Sequence, residues 1–383
     1  MRRILQLALT LLITASFSTV FGQGTTTSAL NGQVVDANGS ALPGATVLAV
    51  HTPTGSQYGN VSDVEGYFRI SGMQVGGPYT VTISFVGYKP YQQSGVFLTL
   101  GQTFRIKAVL EEESTQLEGV EIIASANDVF DGNKTGQSTI IDEESINELP
   151  TVSRSLVDFT RLNPLVNTQG DAIEIAGMNN RYNAIYIDGA VNNDVFGLAS
   201  SGTNGGQTGV SPISIDAIEQ FQVSVAPFDV TQSGFAGGSI NAVTRSGTNE
   251  FEGSAYYFFR NQNLAGKTPT EDADAERTKL ADFTAKTYGF RVGGPIVKNK
   301  VFFFANAEMQ RDETPQPFNA SSYIGDASTA DIQALVNKLK SDYGYDPGTY
   351  TNNAATLNSD KFLAKIDWNL SQNHKLSVRH SYV

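Results

Sequence analysis

Over its last third the chain alternates apolar and polar residues with a period of two, in segments about ten residues long, and each apolar set is rich in aromatic rings. "FEGSAYYFFRN" sets Phe251, Ala255, Tyr257 and Phe259 against Glu252, Ser254 and Arg260. "TAKTYGFRVGG" sets Tyr288, Phe290 and Val292 against Thr287 and Arg291. "VFFFANAEM" sets Val301, Phe303, Ala305, Ala307 and Met309 against Phe302, Phe304, Asn306 and Glu308. "KFLAKIDWNL" and "KLSVRHSYV" repeat the pattern, with Phe362, Ile366, Trp368, Leu376 and Val378 on one side and Lys361, Lys365, Asp367, Lys375 and Arg379 on the other. Beyond the N-terminal segment no stretch approaches the ~20 apolar residues of a membrane helix, so any membrane span must be made of strands. The joins "PIVKNK" and "SQNH" are tight, whereas the connections near 261–285 and 311–360 are long and polar. That alternation suits an outer-membrane β-barrel, with short periplasmic turns and long external loops. An amphipathic sheet in a soluble sandwich is the competing architecture.

The N-terminus "MRRILQLALTLLITASFSTVFGQ" has the layout of a secretory signal peptide over 1–22: Arg2 and Arg3, an apolar run, then small residues before Gly22. The sequence has no cysteine, which excludes disulfides, thiolate metal sites and a lipoprotein anchor. Its formal charge is -12, so nucleic acid is not an expected partner, because phosphate binding needs clustered Lys and Arg. The three histidines, His51, His374 and His380, form no metal-ligand spacing and no catalytic triad. "LAGKT" lacks the glycine a P-loop needs at position 261, which is Asn261. The chain is expected to have no catalytic residue, metal or cofactor, and not to be an enzyme.

Residues 23–111 read as short strands between turns, a small β-sandwich. "PYTVTISFVGY" alternates Tyr79, Val81, Ile83 and Phe85 against Thr80, Thr82 and Ser84, and "TFRIKAVL" alternates likewise. With "NGQVVDANGSALPGATV" and "SDVEGYFRISGM", these segments resemble the carboxypeptidase regulatory-like domain. Residues 112–128 are an acidic linker with one short apolar core, a plain tether or a strand-like segment that a partner captures through its backbone. Helix and strand signals mix over 129–248. Asp142 can cap a helix "EESINEL", "SRSLVDFTRLNP" suits a second, and "SIDAIEQ" a third, with strands at "DAIEIAG", "YNAIYIDG", "FQVSVAP" and "GGSINAVT". A Gly/Ser/Asn-rich loop fills 192–214.

"LEGVEIIAS" then resembles a TonB box. "ELPTVSRSLVDFTRLNPLV", "IEIAGMNNRYNAIYIDGAVNND", "IDAIEQFQVSVAPFD" and "SGFAGGSINAVTRSGTNEFEGSAYYFFRN" resemble the plug of a TonB-dependent receptor running into its first barrel strand. "GFRVGGPIVKNKVFFFANAEMQRDETP" and the closing segments resemble the Oar-like subgroup of Gram-negative outer membranes. Many such plugs have an arginine where this chain has Ala176, and "RGP" where it has "VAP" at 225–227, so no role is carried over for those arginines. The resemblance implies a mainly β chain: an N-terminal β-sandwich, an α+β plug domain over 129–248, and from 249 the first strands of a large transmembrane antiparallel β-barrel. Five strands are countable where the plugged class has about 22, so an N-terminal portion of a longer receptor is expected.

The resemblance also implies function: transport of a ligand across the outer membrane, energised from the inner membrane through TonB, with the N-terminal domains periplasmic. Leu117, Glu118, Gly119, Val120, Glu121, Ile122, Ile123 and Ala124 would form the TonB box, pairing by backbone with a strand of TonB. Asn180, Arg181, Tyr182, Asn193 and Asp194 are candidate ligand contacts, suited to a polar ligand such as a saccharide, a peptide or a metal chelate. Outer-membrane lipid would surround the barrel, and a lipoprotein lid is an open question. The alternative is a non-transporting surface binding protein or adhesin. Phe302 and Phe304, on the otherwise polar face, are expected to pack against the plug.

Overall fold

The computed structural model describes residues 25–113, 121–123, 137–149, 151, 154–168, 172–225, 235–270, 276–316, 323–348, 353–371 and 374–383. The expected signal peptide, 1–22, and positions 117–120 and 124 of the expected TonB box lie outside the described residues. The chain is mainly β, and it divides into two compact units. The first comprises Met1–Gly253, Arg291–Asn306 and Leu363–Ser381; the second comprises Ser254–Phe290, Ala307–Phe362 and Tyr382–Val383.

The first unit opens with the sandwich. Strands β1 (Ser28–Asp36), β4 (Tyr67–Met73) and β7 (Thr103–Leu110) form one sheet in the order β4-β1-β7, with β1 and β7 parallel. Strands β2 (Thr46–His51), β3 (Ser56–Val61), β5 (Gly76–Ser84), β6 (Tyr91–Leu98) and β8 (Glu121–Ile123) form the other, ordered β3-β2-β5-β6-β8. The period of two delivers Leu30, Val34, Ile106, Ala108 and Leu110 from the first sheet and Val47, Ala49, Val81, Ile83 and Val96 from the second into one core. Gly32 sits where β1 passes both the Ile106 carbonyl and the Phe68 ring, leaving no room for a Cβ. Two strands have no counterpart in the sequence reading. β3 and β6 bury few side chains and carry Gln, Ser, Asn and Gly, so neither has the alternation that marks its neighbours.

The middle domain follows in the same unit. It contains β9 (Gln137–Ile141), helices α1 (Glu143–Glu148) and α2 (Leu156–Thr160), a ribbon β10 (Val166–Asn167) and β11 (Glu174–Ile175), then β12 (Ala184–Ile187), β13 (Ala190–Val191), β14 (Ile218–Val225) and β15 (Gly238–Thr244). The main sheet runs β13-β12-β15-β14-β9. Asp142 caps α1 as its sequence suggests, accepting from the Ser145 amide at 2.9 Å. The third expected helix does not form. Ile215–Ala217 make a single 3-10 turn and the chain becomes β14 at Ile218. Ile218, Phe221 and Val223 are buried in a strand bonded to β15 on one side and β9 on the other, and this tertiary pairing overrides the local helical pattern.

Five strands follow, β16 (Glu252–Asn261), β17 (Thr284–Val297), β18 (Val301–Gln316), β19 (Asn353–Asn369) and β20 (Lys375–Tyr382), forming a sheet in sequence order. Tyr257, Tyr288, Phe290, Phe362, Ile366, Trp368, Leu376 and Val378 are exposed, whereas Lys361, Lys365, Glu308 and Asn306 are buried. β17, β18 and β19 span 14, 16 and 17 residues, longer than the roughly ten the pattern suggested. The long connection after β18 is not all loop. It holds helix α3 (Thr329–Tyr343), opened by a Ser328–Asp331 capping box and closed by Gly344 at φ 62. Ile332, Leu335, Val336 and Leu339 fall at the i, i+3, i+4, i+7 spacing of one helix face, yet no residue of α3 is fully buried.

Within the second unit, Lys361 Nζ lies 2.8 Å from Glu308 Oε1, and Tyr256 Oη donates to Glu308 Oε2 at 2.6 Å. Arg311 pairs with Asp360, and Tyr257 stacks on Tyr288 at 6.3 Å between centroids. The Lys361 and Glu308 side chains are 7% and 4% exposed. Removing one partner strands a buried charge, whereas removing both does not. Lys361→Met should therefore lower stability by about 3–5 kcal/mol. Lys361→Met with Glu308→Leu should recover most of that loss. Urea titration in detergent, followed by the fluorescence of Trp368, would measure both, and equal midpoints for all three proteins would refute this account.

Candidate functional site

The core of the middle domain draws on the strands that follow it. Phe304 of β18 and Leu363 of β19 belong to the cluster built by Ile141, Phe159, Ile175, Ile187, Phe221 and Ile240. Phe302 is buried as well, while Phe303 turns the other way, its ring 6.2 Å from that of Phe251. The run of three phenylalanines thus serves both faces of one strand; Phe304 joins the core of the middle domain, whereas Phe302 is buried outside that cluster.

Around this apolar contact runs a seam of charge. Arg245, at the end of β15 and 7% exposed, places Nη1 2.7 Å from Glu143 Oε1 of α1 and 3.8 Å from Glu219 Oε2 of β14; its Nε donates to the Asp216 carbonyl at 3.1 Å. Arg291 of β17 reaches the same carboxylate, Nη2 to Glu143 Oε1 at 3.4 Å, and Asp216 Oδ1 at 3.7 Å. Lys365 of β19 donates to the Thr244 carbonyl and to Ser246 Oγ, each at 3.0 Å. Arg379 of β20 donates to Asp188 Oδ2 at 2.9 Å, and Asp188 also accepts from the Thr244 amide and hydroxyl. Burial raises the Glu143 carboxyl, but Arg245 and then Arg291 outweigh it and hold the group below its ordinary value. Glu219 goes the other way: burial pushes it up, and Arg245 opposes this only in part. Three cations from three strands are thereby anchored on α1 and the β12–β15 sheet. None of these residues stood out in the sequence, where each is only one polar position of an alternating strand or turn.

The candidate ligand residues converge on one loop. Asn180, Arg181 and Tyr182 form a 3-10 turn after Asn179, and the chain at 193–200 folds over it. Asn180 Nδ2 donates to the carbonyls of Ala199 and Ser200, and Arg181 Nη2 donates to that of Gly197 at 2.8 Å. Asn193 accepts from the Ile185 amide at 2.7 Å and donates to the Asn183 carbonyl. Asp194 accepts from the amides of Phe196 and Ala199, which hold its carboxyl below the usual range. The polar groups of Asn180, Asn193 and Asp194 are thus engaged with backbone, and what the loop exposes is Tyr182, Val195, Phe196 and Leu198. Of the expected TonB box, Glu121–Ile123 form β8, paired in parallel with β6 of the sandwich.

The sandwich meets the rest of its unit at several described points. The Asn249 amide donates to the Pro53 carbonyl at 2.8 Å, Asn369 Nδ2 to Ser56 Oγ at 2.9 Å, and the Leu100 amide to Gln220 Oε1 at 2.6 Å, beside an apolar cluster of Val75, Leu100 and Val243. A cavity of about 610 Å³ opens beside these contacts, lined by His51, Tyr58, Asp367, Trp368 and Lys375 among others. Lys375 Nζ stands 3.4 Å from the centre of the Tyr58 ring. Burial, then the Lys375 charge, lowers the His51 imidazole to about 4, so it is neutral at physiological pH. Among the described residues, no group of three or more His, Cys, Asp or Glu side chains is placed to hold a metal ion.

Comparison with known proteins agrees with this architecture. Residues 29–111 match the family described as carboxypeptidase regulatory-like domain, and residues 243–349 match the outer membrane beta barrel domain. The chain is 27% identical, over 94% of its length, to the TonB-dependent transporter Oar of Myxococcus xanthus. It is 27% identical, over 42% of its length, to the probable TonB-dependent siderophore receptor PirA of Acinetobacter baumannii. It spans 33% of the first relative's length and 21% of the second's. Among solved structures, the outer membrane transporter YddB from Escherichia coli aligns over 64% of this chain and 32% of its own, at 18% identity and a TM-score of 0.43. The chain is a homologue of the TonB-dependent transporter Oar, with a carboxypeptidase regulatory-like domain ahead of an outer membrane β-barrel domain, and it belongs to the Gram-negative outer membrane.

Proposed function

We propose that the protein moves a ligand across the outer membrane with energy drawn from TonB, and that residues 129–248 are the plug that closes its barrel. The observation that carries this reading is the shared core: Phe304 and Leu363, from the inner faces of β18 and β19, pack among the buried residues of the middle domain. A domain whose core uses the inward face of barrel strands occupies the space those strands enclose. Arg245, Arg291, Lys365 and Arg379 add an ionic clasp that can open without tearing that core. The relatives that are named for transport and siderophore reception support the same reading.

In this reading residues 117–124 are the segment that TonB pairs with, and the sandwich is periplasmic. Its 52–56 loop touches Asn249 and Asn369, which flank short strand connections, and short connections are periplasmic in barrels of this class. Ligand would meet the plug at the 179–209 loop from outside. Arg181 and Tyr182 are the contacts we nominate, with the exposed Phe196 beside them, while Asn180, Asn193 and Asp194 hold the loop in shape. A saccharide, a peptide or a metal chelate with an apolar portion suits that surface.

Deleting residues 117–124 should abolish uptake while leaving outer-membrane insertion intact, as read by ligand accumulation in cells and by fractionation; undiminished uptake would remove the TonB assignment. The clasp has a pH signature. Because the folded Glu143 pKa lies below its ordinary 4.5, its contribution is fully present above that value and is lost as pH falls through the lower folded one. Amide exchange of α1 should therefore accelerate as pH falls below about 4.5, beyond the intrinsic trend. In Glu143→Gln the α1 amides should exchange faster at neutral pH and lose this extra acid dependence, and identical profiles for both proteins would count against the clasp.

A further inference from the structure

The sandwich ends in an interaction surface for an extended strand, and that surface is already occupied. In the order β3-β2-β5-β6-β8, β6 would be the open edge of its sheet without β8. An open edge presents a row of unsatisfied amides and carbonyls, a template for pairing with another chain. Here the occupant is the chain's own 121–123, with Gln92 opposite Glu121, Gln93 opposite Ile122 and Ser94 opposite Ile123.

The geometry of β6 interrupts regular pairing beside this contact. Between β5 and β6, Val81 faces Gln93 while Tyr79 faces Val96, so β6 carries one extra residue at 94–95, and Gly95 there adopts φ 73. A bulge of this kind kinks the strand and ends regular pairing. Among the described residues, β8 pairs with 92–94 and so reaches the first residue of the bulge. A strand held at a bulged sheet edge is suited to exchange.

We propose that β6 and TonB compete for the same backbone: the sandwich holds 121–123 as a provisional strand, and TonB recruits the transporter by displacing β6 from it. This rests on the reading of 117–124 as the TonB-binding segment. The partner the exposed segment fits is a single extended strand of TonB, added along the edge that β6 now covers.

The absence of cysteine makes the test clean. Gln93→Cys with Ile122→Cys, and separately Gln92→Cys with Glu121→Cys, place thiols at facing positions where a disulfide can form. In the intact protein in detergent, oxidation should join each pair and weaken binding of the TonB periplasmic domain about tenfold or more, with reduction restoring it. In the unsubstituted protein, adding that TonB domain should speed amide exchange at 92–94 while 121–123 stay protected. Failure of both disulfides to form, equal TonB binding by oxidised and reduced chains, or unchanged exchange at 92–94 on TonB binding would each overturn the competition and leave the transport reading intact. If the unsubstituted protein does not bind TonB at all, the transport reading falls and the competition falls with it.

Discussion

Hydrocarbon offers a peptide group no hydrogen-bond partner, so a strand in a bilayer must satisfy its whole backbone through neighbouring strands and present only apolar side chains outward. This constraint turns the last third of the protein inside out relative to a soluble sheet. Trp368, Phe362, Ile366 and Phe290 are exposed, while Lys361, Lys365 and Glu308 are buried on the opposite face. Buried charge is tolerable only when paired, which is why Lys361 meets Glu308 and why Lys365 ends on the Thr244 carbonyl. The middle domain is positioned by the same logic. Its own edges supply the carboxylates and carbonyls that the inward cations of β17, β19 and β20 require.

What could be read in the sequence follows from where this constraint acts. β16, β17, β18, β19 and β20 were legible because lipid on one side and protein or water on the other enforce a period of two. α1 was legible through Asp142, a cap whose chemistry is local. Elements whose identity depends on distant partners were not. β14 takes over the last three residues of an expected helix because β9 and β15 bond it on both sides, and residues 137–141 reveal nothing of β9 without the β14 they pair with. α3 was legible but passed over: Ile332, Leu335, Val336 and Leu339 share one helix face behind a Ser328–Asp331 capping box, inside a connection read as loop for its length and polarity.

The candidate site divides in the same way. The sequence pointed to the 180–182 and 193–194 residues because amides and charges cluster there, and the structure does bring them to one loop. Composition could not reveal that the side chains of Asn180, Asn193 and Asp194 are engaged with backbone, leaving Tyr182 and an apolar tip outside. The Arg245 seam was invisible for a related reason. A lone arginine after an apolar strand looks like any strand terminus until Glu143, 102 positions earlier by the numbering, is found 2.7 Å away.

On the transport reading, these contacts differ in the way they would yield to force. The contact of β8 on β6 lies at the edge of its sheet, so peptide groups released from it can pair with another strand or with water. The seam around Arg245 can only separate if carboxylates and guanidinium groups reach solvent together, because a half-opened seam leaves a charge buried. The apolar contact of Phe304 and Leu363 with the domain core is the last to lose, since it is indifferent to charge and pairing. A pull applied at the linker would therefore meet its weakest resistance at the sandwich edge, its most cooperative resistance at the ionic seam, and its most persistent in the core. That ordering lets the segment be captured without disturbing the plug, and lets the plug open at its charged margin while its fold survives.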